Sequence, residues 1–123
     1  MIISIKLIKG YVIMPNKEKF LGEFEQMVLL SLLQLDDEAY GAKIRQLLDD
    51  KIKRVVAIGA LYSTLERLEK KGLVTSVLGD TTPERGGRAK RYFKVTAEGQ
   101  KGLIRAKNAM DEMWQGISQD SLV

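Results

Sequence analysis

The chain has 123 residues, no cysteine and no histidine, and its 20 Lys and Arg outnumber its 16 Asp and Glu. That length supports one small core and leaves no room for a cofactor fold beside a substrate domain. Without Cys and His there are no disulfides, no thiol nucleophile, no usual general base and no common zinc ligand. An enzyme, a metal site and a resident cofactor are therefore not expected, while the basic excess favours an anionic partner.

Residues Met1 to Ile13 are rich in isoleucine, but Lys6 and Lys9 interrupt them and no small-residue cleavage site follows. Neither a membrane span nor a secretory signal fits, and a cytoplasmic protein is expected. Ile3, Ile5 and Leu7 alternate with Ser4 and Lys6, the period of a short strand. Met14-Pro15-Asn16-Lys17 resembles an alternative beginning, so residues 1–19 are expected to be an extension outside the working domain.

Phe20, Leu21, Phe24, Met27, Val28, Leu32 and Leu35 recur every three or four residues, which predicts a first helix from about Gly22 to Leu35. Asp36-Asp37 offers a turn and an N-cap carboxylate to a second helix with the apolar face Tyr40, Ile44, Leu47 and Leu48, ending near Asp50. Beyond the basic connector Lys51 to Arg54, the stripe Ile58, Leu61, Tyr62, Leu65 and Leu68 predicts a third helix from about Ala57 to Lys71, closed by Gly72. Leu73 to Leu78 and Arg91 to Val95 are β-branched and aromatic runs that predict a hairpin with Thr81 to Lys90 at its tip. Thr96 can cap a last helix in which Leu103, Ala106, Met110, Met113 and Ile117 follow a 3,4,3,4 spacing, the seam of a coiled coil that needs a partner. The order is that of a mainly α fold with a small β-hairpin: a winged helix-turn-helix over residues 20–95, then a C-terminal dimerisation helix and tail over residues 96–123.

Five cations, Arg85, Arg88, Lys90, Arg91 and Lys94, face one anion, Glu84, between Thr81 and Lys94. A glycine-hinged basic tip of this kind is an electrostatic footprint for phosphate, with Arg88, Lys90 and Arg91 as the wing contacts. The third helix would enter the major groove, presenting Gly59 and Ala60 for close approach and Ser63, Thr64 and Arg67 as donors. Tyr40, Gly41 and Lys43 open the second helix, where a helix N-terminus favours a phosphate; Tyr40 serves equally well as a core residue whose hydroxyl reaches the surface. Tyr62 reads as packing, and of Tyr92 and Phe93 one faces inward and the other outward. Met110 and Trp114 either pack in the dimer or line a cavity for a flat aromatic effector.

Leu21-Gly22-Glu23-Phe24-Glu25-Gln26, Ala39-Tyr40-Gly41, Ile58-Gly59-Ala60-Leu61-Tyr62-Ser63-Thr64-Leu65-Glu66-Arg67-Leu68, Lys71-Gly72-Leu73-Val74 and Pro83-Glu84-Arg85-Gly86-Gly87-Arg88-Ala89-Lys90-Arg91-Tyr92-Phe93 occur in this order. Together they resemble the PadR family of bacterial transcriptional regulators, in its short branch with a single C-terminal helix. The resemblance implies a homodimeric winged-helix repressor that binds a pseudo-palindromic operator in double-stranded DNA and answers phenolic or drug-like compounds. One departure stands out: Ala57 occupies a position where the family often has Ser or Thr, which removes a helix cap and a phosphate-binding hydroxyl. The rival from another class is a winged-helix protein-interaction module whose basic wing serves an acidic protein; salt-sensitive, sequence-selective binding to duplex DNA separates the two.

Overall fold

Helix α1 covers Glu23–Leu35 and begins where Glu25, at its third position, reaches back to accept the Gly22 N–H at 3.0 Å. The structure is a computed structural model that describes residues 6–8, 11–13, 20–79 and 89–122. Asp36 ends α1 by turning to φ 50°, and a short 3-10 turn, Asp36–Glu38, follows. Helix α2 covers Gly41–Ile52 and is entered through Tyr40 in an extended conformation, without a side-chain cap. The expected cap from Asp36-Asp37 is therefore corrected. Between those acids and the helix, Ala39 is buried with its carbonyl accepting the Phe93 N–H at 2.9 Å, and Tyr40 bridges Tyr92. That strand-like step moves the start of the helix out of the acids' reach.

Helix α3 covers Ile58–Lys70; its N-cap residue Ala57 makes no side-chain hydrogen bond, as the missing hydroxyl requires. Gly72 at φ 78° turns the chain out of the helix, a conformation open to glycine at little cost. Strand β3, Val74–Leu78, pairs antiparallel with β4, Arg91–Val95, in a register running from Val74↔Val95 to Leu78↔Arg91. A separate pair, β1, Lys6–Ile8, with β2, Tyr11–Ile13, forms a small antiparallel hairpin in the N-terminal segment where a single strand was expected. The proposed start at Met14 to Lys17 lies outside the described residues.

The last helix, α4, covers Ala97–Trp114 and is capped as expected: the Thr96 hydroxyl accepts the Gly99 N–H at 3.0 Å and donates to the Gly72 carbonyl at 2.8 Å. The core gathers Val28, Leu29 and Leu32 of α1, Ile44 and Leu48 of α2, Leu61, Leu65 and Leu68 of α3, Val74, Phe93 and Val95 of the hairpin, and Leu103 of α4. Two corrections to the C-terminal seam follow. Leu103, expected at a dimer interface, is 8% exposed and belongs to the protomer's own core. Ile117 lies beyond the end of α4, because Gly116 at φ 81° turns the chain and breaks the helical phase.

Candidate nucleic-acid interface

The buried face of α3 consists of Leu61, Thr64, Leu65 and Leu68, a helical stripe that leaves Gly59, Ala60 and Ser63 exposed on the other side. Two expected placements change as a result. Thr64, taken as a donor to bases, is 4% exposed and turned into the core, where no base edge can reach it. Ile58, taken as the first residue of the buried stripe, is 44% exposed. Both errors come from one cause: the stripe is rotated slightly from the one that the large apolar side chains suggest, because the short threonine fits inside.

The C-terminal end of α3 is tied down. Arg67 and Lys71 place their cations 3.3 and 3.1 Å from the same Glu25 carboxylate oxygen, while the other oxygen accepts the Gly22 N–H. Burial pushes the Glu25 carboxyl upward, but the hydrogen bonds from Gly22, Lys71 and Arg67 and the nearby Lys71 charge together outweigh it and hold the group below its ordinary value. Arg67, expected as a donor to a guanine or the backbone, is thus engaged with α1 while its side chain stays 52% exposed. Glu25 itself is a residue the sequence reading passed over, although a glutamate three places after a glycine N-cap is a recognisable capping signal.

The residues expected at the start of α2 divide into two kinds. A Cβ on Gly41 would stand 2.7 Å from the Tyr62 hydroxyl, so this glycine is required by packing and its side of the helix is closed. Tyr62 accordingly packs, half-buried, with its ring 6.2 Å from that of Phe93. Tyr40 and Lys90, by contrast, are brought together: the Lys90 ammonium lies 3.4 Å from the centre of the Tyr40 ring, and Tyr40 meets Tyr92 edge-on at 5.5 Å. Lys43 is half-buried one turn into α2. The base of the wing and the entrance to α2 therefore form one cationic and aromatic cluster. Arg91 is exposed and donates to the Ser76 hydroxyl at 3.0 Å, which donates in turn to Glu69. Arg88 and Arg85, at the tip, lie outside the described residues.

The turn from α2 to α3 is pinned from below, since Val56 is buried and Arg45 Nε donates to its carbonyl at 2.7 Å. Arg54 is held back by Glu23 at 3.1 Å and by the face of Phe24 at 5.0 Å, while Lys51 and Lys53 remain exposed.

On the opposite part of the molecule α4 leaves an apolar surface uncovered. Met110 lines two grooves, one of about 380 Å³ beside Leu21, Ala106 and Met113, the other of about 520 Å³ beside Leu30, Leu33 and Ile104. Trp114 is partly exposed at the end of α4 and lines neither groove.

Against known proteins, the model of the transcriptional regulator PadR-like family matches residues 29–105. The chain belongs to the PadR-like family of transcriptional regulators. It is 36% identical over 78 residues to the transcriptional regulator Rv3488 of Mycobacterium tuberculosis, covering 63% of this chain and 68% of that one. Among solved structures, a PadR-like transcription factor from Bacteroides fragilis superposes with a TM-score of 0.65 at 28% identity, covering 80% of this chain and 87% of that one. A transcriptional regulator from Clostridium thermocellum gives 0.61 at 28%, with 76% and 86% covered. This PadR-like protein is a DNA-binding regulator with the winged-helix fold, and among its described residues no helix is long and apolar enough to cross a membrane.

Proposed function

We propose that this PadR-like regulator is a homodimeric repressor that binds a pseudo-palindromic operator in double-stranded DNA and is released by a small flat aromatic compound. The observation that carries the DNA reading is the bare N-terminal half of α3, where Gly59, Ala60 and Ser63 lie exposed in the second helix of a helix-turn-helix. A groove admits such a helix because nothing large stands between its backbone and the base edges. Lys90 and Tyr40 flank this face as phosphate contacts, joined by Lys43, Arg91 and, at the wing tip, Arg88.

Dimerisation falls to α4 and the outer face of α1. Ala106, Met110 and Met113, with Leu30, Leu33 and Ile104 beside them, form an apolar surface that a lone protomer leaves in water. The effector would enter the grooves at Met110, whose flexible thioether suits flat apolar ligands, with Trp114 one turn further along α4. Residues 20–95 then act as the DNA-binding unit and 96–123 as the dimerisation helix and tail.

The test is selection of duplexes from random DNA, followed by affinity across a salt series for the selected and a scrambled duplex. Lys90→Ala should weaken binding to both alike and lower the salt slope by about one counterion. Equal affinity of the wild-type protein for selected and scrambled DNA at every salt concentration would refute sequence-specific regulation and favour an acidic protein partner.

A further inference from the structure

The first turn of α3 and the segment leading into it hold two branched apolar side chains in water, and their placement is imposed by the fold. Val56 is buried and its carbonyl is fixed by Arg45, so the chain enters α3 with Val56 inward and its neighbours Val55 and Ala57 outward. Val55 is consequently 80% exposed, and Ile58, the first residue of α3, also stands out at 44%. Solvation of two such side chains is unfavourable, and nothing within the described residues relieves it.

The chemistry around them narrows what can. From Ile58 to Ser63 the outward positions are Ile58, Gly59, Ala60 and Ser63, with no cation, amide or carboxylate among them. Arg or Lys is needed for two-point recognition of guanine, and Asn or Gln for adenine; what this surface offers is apolar contact, whose counterpart in the major groove is the 5-methyl group of thymine. Lys53, exposed two residues before Val55, supplies a cation for a neighbouring phosphate, and Lys51 at the end of α2 is exposed as well although its ammonium donates to Gln34 Oε1 of α1 at 2.7 Å; a basic approach to the patch suits a nucleic acid better than an apolar protein face.

We propose that Val55 and Ile58 are specificity-determining residues that read thymine methyl groups, so that each half-site carries thymines facing the start of α3. This rests on the DNA reading above and adds the base chemistry it selects.

The test replaces the thymines of the selected half-site one at a time by deoxyuridine, which removes the methyl and leaves the pairing edge intact. At one or two positions the exchange should weaken wild-type binding about fourfold, the worth of one buried methyl group. The double variant Val55→Ala, Ile58→Ala should bind thymine and uracil duplexes equally. Val55 is 80% exposed and Ile58 44%, and an unchanged melting temperature confirms that the variant is folded. A wild-type protein indifferent to uracil at every position, or a folded variant that keeps the full uracil penalty, would overturn the thymine-methyl reading while leaving DNA binding intact. Failure of the selection to yield any preferred duplex would overturn both readings together.

Discussion

Two of the surfaces that expose apolar side chains among the described residues differ in size and in what surrounds them. The stripe on α4 and α1 runs from Leu30 and Leu33 through Ile104 to Met110 and Met113 and encloses grooves of several hundred Å³. The patch at the start of α3 is two side chains wide, set on small residues and preceded in the chain by the exposed Lys51 and Lys53. A long, deep apolar surface gains enough from burial to hold another protein, whereas a narrow one on a basic stretch of chain gains little until a groove lined by phosphates closes over it. Apolar exposure alone therefore does not name a partner; extent and the charge at its border do.

Charge placed on each surface should separate their roles most sharply. Met110→Glu with Met113→Glu sets like charges across the proposed two-fold axis and is expected to give monomers in analytical ultracentrifugation. Operator affinity should then fall by roughly 100-fold or more, because a single half-site loses the advantage of tethering. Val55→Glu should leave the oligomeric state unchanged and weaken DNA binding through repulsion of the phosphates. A Met110, Met113 variant that still sediments as a dimer would erase the distinction between the two surfaces.

Much of the fold was legible in the sequence, and the parts that were not have particular causes. The periodicity of α1 to α4, the hairpin and the Thr96 cap each follow from local pattern, and residues with one dominant preference fell where expected. Thr64 and Ile58 exchanged places because helical spacing alone does not decide whether a small polar or a large apolar residue sits at the edge of a buried face. Leu103 satisfied a heptad as well as a core position, and only the packing of α4 on α1 distinguishes the two. Asp36-Asp37 was an equally good cap in isolation; the Ala39 to Phe93 hydrogen bond, formed by residues more than 50 apart, moved the helix start beyond it. The expected wing cations Lys90 and Arg91 proved to have partners of their own within the protein, Tyr40 and Ser76. Val55 carried no signal at all, since exposure of a valine depends on what its neighbour Val56 is fastened to.

Glu25 joins the helices that bear the two surfaces, as it sits in the first turn of α1 and holds Arg67 and Lys71 at the end of α3. Glu25→Ala should lower unfolding free energy by about 1–2 kcal/mol in urea titration, a modest loss because the half-exposed Arg67 can turn to solvent. The carboxyl's folded value lies below an unfolded value of about 4.3, so its contribution is complete above that pH and is lost as pH falls through the folded value. Glu25→Gln should accordingly flatten the acid limb of the stability profile below about pH 4.3. An unchanged acid limb would mean that the ion triad does not fasten α3 to α1.

The smallest expected effect concerns Gly59, and it bears on whether the α3 patch is shaped for a groove. A Cβ on Gly41 would meet Tyr62, and one on Gly99 would meet the Leu73 carbonyl, so those glycines answer to packing; a Cβ on Gly59 meets nothing within 4 Å. Within the protomer a glycine at this exposed helical position only costs backbone entropy, and Gly59→Ala should raise stability by about 0.5 kcal/mol in thermal or urea unfolding. If the space beside Gly59 is kept clear for a base edge, the same added methyl should weaken operator binding severalfold while the dimer stays intact. Stabilisation without loss of affinity would show that close approach at Gly59 is not needed, and the reading of bases would then fall to Val55, Ile58 and Ser63.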